Sequence, residues 1–266
     1  MKATKTIFLA LLLLLFVPAS AQQPQNVENG HEYVDLGLSV NWAICNVGAD
    51  KPEDYGDYYA WGEVEPKESY TWLNYRFRTG GYDEADVRFS KYTSMYYTSI
   101  RDADTRNYVA DDKTLLDLED DVAHVKWGGS WRLPTDQEMN ELIDSCTLTW
   151  TALNGVNGCL ITSKRSGYTD RSIFLPAAGR YGFETYNKNA GTWGCYWSNS
   201  VNRDKISYRA GVLAIGSDYA AVKSTFRIVG QSIRPVCYKI CIDEFEGLKM
   251  IPQKNSTLGT VPPIQK

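Results

Sequence analysis

The stretch Trp127–Thr135, WGGSWRLPT, runs directly into Asp136-Gln137-Glu138 and predicts where a helix begins. Thr135 is placed to cap the free backbone amides of the first turn. Glu138 stands three residues later and can reach back, which completes a capping box. Asp136 adds negative charge beside the positive end of the helix dipole. One stripe of this helix is therefore expected to face a core, through Met139, Leu142, Ile143 and Cys146.

The rest of the chain alternates short runs rich in β-branched and aromatic residues with Gly, Asn and Asp, which is typical of strands joined by turns. We predict strands at residues 31–35, 40–46, 58–61, 159–163, 172–175, 194–198, 208–215 and 232–238. A second, weaker helix is predicted at residues 112–122, with Asp111 or Asp112 as its cap. Because tryptophan buries a large area, we expect core positions for Trp42, Trp61, Trp131 and Trp197.

The first 21 residues have the features of a secretory signal peptide. Lys2 and Lys5 precede the apolar run Ile7–Val17, and Ala19-Ser20-Ala21 supplies a cleavage pattern of small residues. The run is long enough for a signal core but short for a bilayer span, so an uncleaved anchor is the weaker alternative. We expect export to the periplasm, the cell surface or the medium, with no membrane insertion after cleavage.

The mature chain is expected to hold one folded domain. Residues 22–30 are polar and are predicted to be a linker, residues 31–241 the domain, and residues 242–266 a loosely ordered C-terminal tail. A net charge of −4 does not favour binding to nucleic acid or anionic lipid, so these partners are not expected. Six cysteines follow the cleavage site; one or two disulfides and no disulfide at all remain equally open.

The stretch Trp127–Thr135 resembles the entry of formylglycine-generating-enzyme-like domains, which have a C-type lectin-like fold. The chain as a whole is similar to the Fibrobacter succinogenes major paralogous domain family, with relatives in gut Bacteroidetes. The resemblance is carried by Tyr33–Val40 with Trp42-Ala43, Cys45–Ala49, Tyr55–Glu63, Trp127–Thr135, Phe174–Gly179, Tyr196–Ser198 and Gln231–Val236. It implies an α+β domain: a small twisted antiparallel sheet, one or two helices and long ordered loops. A helix with one apolar stripe needs such a sheet to cover.

The cysteines and histidines of the chain do not match a known catalytic or metal-binding pattern. Formylglycine-generating enzymes use a late pair of cysteines to hold copper and attack substrate. Cys237 and Cys241 follow the closing Arg-Pro-Val segment, whereas the enzyme's pair precedes it, so we predict no catalytic residues. The only histidines, His31 and His124, form no sequence-near metal motif. No cofactor is expected, with calcium as the weaker alternative at Glu119-Asp120-Asp121 or at Glu53, Asp54 and Asp57.

The resemblance places ligand binding on loops of the C-terminal half. Tyrosine offers a rigid area with a polar tip, and asparagine both donates and accepts hydrogen bonds. The candidate ligand-binding residues are Tyr186, Asn187, Trp193, Asn199, Asn202, Asp204, Tyr208, Asp218, Tyr219, Lys223 and Phe226. For any one of them, an ordinary solvated loop position is the simpler explanation.

The predicted function is that of an exported, non-catalytic ligand-binding or adhesion protein that recognises a protein or a carbohydrate. One alternative is a drifted formylglycine-generating-enzyme-like enzyme. The other is a structural component of a pilus tip or envelope assembly, which would dock to its partner through the C-terminal tail or an exposed strand edge.

Overall fold

The capping box at Thr135 forms as predicted. In the computed structural model, a helix that we call α2 runs over Asp136–Ser145. The Glu138 amide donates to Thr135 Oγ1 at 3.1 Å, and the Thr135 amide donates to Glu138 Oε2 at 2.8 Å. Met139 and Leu142 are buried beneath the helix, Ile143 is half-buried, and Cys146 is buried as the first residue of the next strand.

The structure describes residues 26–80, 88–93, 111–182, 187–201 and 208–239. The predicted signal peptide, the predicted C-terminal tail and Cys241 lie outside these residues. The strands are β1 Val27–Glu28, β2 His31–Val34, β3 Val40–Ala43, β4 Arg78–Gly80, β5 Arg88–Phe89, β6 Cys146–Leu153, β7 Val156–Ser163, β8 Ser172–Pro176, β9 Arg180–Tyr181, β10 Asn187–Lys188, β11 Gly194–Val201, β12 Arg209–Gly216, β13 Tyr219–Phe226 and β14 Val236–Tyr238.

These strands form several small sheets rather than the single sheet expected. Their orders are β1-β2-β3-β14, β6-β7-β8 and β11-β12-β13, with two-stranded pairs β4-β5 and β9-β10, and every named pair is antiparallel. Together with the two α-helices of the described ranges, this agrees with the α+β class. Helix α2 contacts β11, β12 and β13, so it covers one face of that sheet.

The predicted second helix at residues 112–122 is wrong. Backbone around Leu115 is extended and pairs with Ser200 of β11, while the Leu116 amide donates to Asn199 O at 3.0 Å. A 3-10 turn at Leu118–Asp120 follows. The helix α1, Val122–Trp127, begins only after Asp121, whose carboxylate accepts the backbone amides of Ala123 and His124. Pairing with a strand has overridden the weak local helix preference.

Seven strands of the described residues were not predicted from the sequence, and the two long ones are β6 and β13. β6 follows α2 directly, and β13 closes a hairpin with β12. The turn between β6 and β7 is Asn154-Gly155, with φ angles of 49° and 85°. Asn-Gly with positive φ at both positions is the strongest short-range hairpin signal, so β6 was readable from its turn. In contrast, the strand predicted at residues 58–61 is reduced to one bridge between Tyr59 and Gln231.

The described part of the predicted linker, residues 26–30, is built into the domain. Val27–Glu28 pairs with β2. Glu28 Oε1 accepts the Ser130 amide at 2.8 Å, and Trp131 Nε1 donates to Glu28 O at 2.7 Å. This N-terminal hairpin therefore docks on the WGGSW loop, because the orphan donors of that loop need acceptors.

The core consists of two aromatic-rich clusters of buried side chains. All four tryptophans predicted to be core, Trp42, Trp61, Trp131 and Trp197, are at most 1 % exposed, which confirms the prediction. Two of them cross-link loops and strands: Trp61 Nε1 donates to Ser198 O, and Trp197 Nε1 donates to Tyr59 O, each at 2.8 Å. The five cysteines of the described ranges are buried free thiols.

A search of the described residues finds no helix with the length and apolar character needed to cross a membrane.

Candidate ligand-binding platform

Trp193 and Tyr219, two of the predicted ligand-binding residues, meet at the tip of the β12–β13 hairpin. Their ring centroids lie 5.5 Å apart with the planes inclined by 59°. They are 36 % and 38 % exposed, which sets them apart from the buried aromatic residues of the core. We call Trp193, Asp218 and Tyr219 the hairpin-tip platform.

The hairpin turn explains why these rings meet. Strand β12 ends at Gly216, which pairs with Tyr219 across the two-residue turn Ser217-Asp218. The Trp193 indole lies over Gly216, where an added Cβ would be 3.6 Å from the ring. The sequence prediction did not single out Gly216. In the sequence, the one feature that indicates a ring packed on this backbone is a glycine directly before a tight turn.

The backbone around Trp193 is held on both sides. The Trp193 amide donates to Asn189 O at 3.0 Å, and Trp193 O accepts the Gly179 amide at 2.7 Å. The Gly191 amide donates to Ala177 O at 2.8 Å. A ring on such a loop loses little further freedom when a ligand binds, so the platform is preorganised.

Polar groups flank the two rings. Asp218 lies in the exposed turn, and Ser217 Oγ donates to its carboxylate at 3.4 Å. Side chains alternate along β13, so Lys223 lies on the same face of the sheet as Tyr219 and Ala221, and it is exposed. The platform thus combines an apolar surface with a carboxylate, and an ammonium lies further along the strand.

Two of the predicted binding residues make hydrogen bonds within the protein instead. Asn187 Nδ2 donates to Tyr58 Oη at 2.6 Å and to Ala178 O at 2.8 Å. Asn199 is only 6 % exposed, and its Oδ1 accepts the Ser200 hydroxyl at 3.2 Å. Their prediction as ligand contacts needs correction, because these amides satisfy polar groups inside the protein.

Tyr208 and Phe226 lie at the opposite end of the hairpin from the platform. Their rings are 5.5 Å apart, Arg209 stacks on Phe226 at 4.4 Å, and both rings pack against the core. With about 3.4 Å of rise per residue, the eight-residue strand β13 separates the two ends by roughly 24 Å. The predicted set therefore does not form one site. Tyr186, Asn202 and Asp204 lie outside the described residues.

The first acidic group expected to bind calcium is occupied by a lysine. Carboxylate oxygens of Asp117, Glu119 and Asp120 lie within 4.8 Å of one another. Lys91 Nζ contacts all three, at 2.6, 2.9 and 2.6 Å, so an ammonium group already fills the place where a cation would sit. Asp121 faces inward and binds backbone amides.

The carboxylates of the second acidic group do not lie close together. Within the part of the chain that the structure describes, Glu53, Asp54 and Asp57 form no cluster of metal-ligand spacing. Glu53 instead accepts Asn154 Nδ2 at 2.8 Å, which fastens the β6–β7 turn to this loop.

Comparison with protein-family models, with curated proteins and with solved structures finds no match to this chain.

Proposed function

We propose that this chain is an exported, non-catalytic binding protein whose hairpin-tip platform recognises a ligand on a glycan or a protein. The observation that carries the proposal is the exposed, mutually packed pair Trp193 and Tyr219 on a hydrogen-bonded backbone. Isolated exposed apolar residues are common on protein surfaces. A preorganised aromatic pair indicates a binding surface, because its apolar area is exposed to water until a partner covers it.

A glycan fits the platform well. Ring faces of tryptophan and tyrosine offer apolar area against which the C–H face of a sugar packs, and Asp218 offers acceptors for sugar hydroxyls beside them. A protein loop is the other ligand that the same rigid aromatic side chains suit. Both belong to the same function, which is recognition without bond breaking.

The fold and the destination form part of this proposal. A C-type lectin-like domain is supported by the antiparallel sheets, the capped helix α2 and the long loops between them. Export is supported by the signal-like first 21 residues. The non-catalytic reading is supported by the thiols, since burial raises the pKa of Cys195 to about 11 and that of Cys237 to about 12. Such thiols are weak nucleophiles at neutral pH.

The test uses the chain from Gln22 onward on glycan and protein arrays, followed by titration of the best ligand. We expect Trp193→Ala and Tyr219→Ala each to weaken binding by tenfold or more, that is by about 1.4 kcal/mol. Leu73→Ala is the matched control, because Leu73 is 66 % exposed and lies outside the platform. Undiminished binding by the Trp193→Ala/Tyr219→Ala double variant, or no ligand on either array, would overturn the proposal.

A further inference from the structure

A pocket of about 480 Å³ opens where the N-terminal hairpin docks on the end of α1. Its walls come from the start of β2, the loop after β3, and Trp127. The side chains that matter are those of His31, Glu32, Cys45, Asp50 and Trp127; the remaining lining is small or apolar. The volume falls within the range of sites that hold small molecules.

One wall of the pocket is a fixed aromatic surface. The His31 ring stacks on Trp127 with centroids 3.9 Å apart and planes within 7° of parallel. Trp131, which is fully buried, meets Trp127 edge-on at 5.1 Å and supports it from behind. Because the three rings pack against one another, this wall can bind a flat group without rearrangement.

The electrostatic character of the pocket is negative. Glu32 and Asp50 are exposed carboxylates on its lining, and no lysine or arginine of the described ranges lines it. Burial raises the pKa of the Cys45 thiol; among the nearby charges, Arg234 acts against this rise and Asp54, Glu32 and Asp50 act with it. Burial also lowers the pKa of His31, because it disfavours the charged imidazolium.

Arg234, whose positive charge acts on Cys45, is not among the residues that line the pocket. It is 1 % exposed, and it donates to Asn46 Oδ1 and to the carbonyls of Ala43, Ile44 and Phe174. Its donors are therefore engaged in holding the fold. A ligand in the pocket would meet carboxylates and an aromatic wall.

We propose that this pocket binds a small organic cation, an amine joined to a flat ring. The ammonium group lies toward Glu32 and Asp50, and the ring packs against the His31–Trp127 wall. Charge complementarity favours this position of the ammonium group, and stacking between aromatic rings favours this position of the ring. The proposal is independent of the hairpin-tip platform, because it uses other residues and another ligand chemistry.

The test compares two probes of the same shape by NMR titration: phenethylamine, which is protonated at pH 7, and 2-phenylethanol, which is neutral. We expect the amine to bind about tenfold more tightly, with an affinity that weakens as salt is added. Equal affinity of the two probes, or no saturable binding of the amine, overturns the proposal.

Substitutions at Asp50 test whether the amine binds in this pocket. Asp50→Asn should weaken amine binding about threefold to fivefold, and Asp50→Lys should weaken it further because it places a cation beside the ligand. Asp144→Asn removes the same charge at an exposed position of α2 and should leave amine binding unchanged. Asp50 is exposed as well, so each variant should keep the wild-type unfolding midpoint. Amine binding that is unchanged in Asp50→Lys, or that falls equally in Asp144→Asn, contradicts the assignment.

Discussion

Arg132 and Glu138 form a buried bidentate ion pair, with Nη2 to Oε1 at 2.6 Å and Nη1 to Oε2 at 2.8 Å. The same Glu138 Oε2 accepts the Thr135 amide of the capping box. One carboxylate therefore joins the first turn of α2 to the WRLP segment that precedes it. The ion pair explains why the Arg-Leu-Pro-Thr stretch belongs with this helix start: the arginine neutralises a glutamate that the cap draws into the protein.

Replacing Glu138 by Gln keeps an acceptor for the cap but leaves the Arg132 guanidinium buried without its counter-charge. We expect the free energy of unfolding to fall by about 3–5 kcal/mol, as when one partner of a buried pair is removed. Urea unfolding measures this. Asp144→Asn, a charge removal at an exposed position of the same helix, should change it by less than about 0.5 kcal/mol. Similar losses in the two variants would contradict a special role for the pair.

Asp121 fastens two segments at once. Its Oδ1 accepts the Ala123 and His124 amides at 3.0 and 3.2 Å, and its Oδ2 accepts the Leu133 amide at 2.8 Å. Asparagine offers one acceptor oxygen, so Asp121→Asn should leave a buried donor unsatisfied and lower the free energy of unfolding at pH 7 by about 1–3 kcal/mol. Chemical denaturation checks the size. An unchanged midpoint would mean that the three bonds contribute nothing net.

The free energy of unfolding should depend on pH through the titration of Asp121. Burial raises the pKa of this carboxyl from 3.8 to about 6 in the folded chain. The folded state then binds the proton more tightly than the unfolded state, so this contribution is fully present below about pH 4 and is lost as the pH rises through about 6. The stability of wild type relative to Asp121→Asn should fall across this window, by at most about 1.4 kcal/mol per pH unit. A difference that is constant from pH 4 to pH 8 would refute the shift.

Lys91 should act as a built-in cation for the cluster of Asp117, Glu119 and Asp120. Lys91→Ala leaves the buried Asp120 carboxylate with Arg76, at 3.0 Å, and the Tyr92 hydroxyl, at 2.6 Å, and should lower the free energy of unfolding by roughly 1–3 kcal/mol. Millimolar calcium should restore part of that loss in the variant, because the three carboxylates then have room for a metal ion. Thermal unfolding with and without calcium tests this; wild type should not respond.

The hairpin-tip platform should matter for binding and little for folding. Trp193 and Tyr219 are exposed, so Trp193→Ala and Tyr219→Ala should each lower the free energy of unfolding by no more than about 1 kcal/mol. Thermal unfolding of the two variants gives the comparison with the loss of ligand affinity. A large loss of stability would make the pair a part of the core, and its role in recognition would then have to be abandoned.

Local features were readable from the sequence because they depend on neighbours. The Thr135–Glu138 box involves residues three apart, and the Asn154-Gly155 turn was there to be read as well. Core positions for Trp42, Trp61, Trp131 and Trp197 were also predicted correctly, because so large an apolar side chain favours burial. The helix predicted at residues 112–122 failed since its weak propensity competed with a strand that lies far along the chain.

By itself, the sequence determined the start of α2, four of the buried tryptophans and the residue types available for recognition. Only the tertiary structure decided which of those residues meet. It brought Trp193 onto Tyr219 and His31 onto Trp127, and it turned Asn187 and Asn199 inward. The reason is that contacts between distant segments depend on how sheets pack and on which backbone groups still need partners, and no short stretch of residues encodes either.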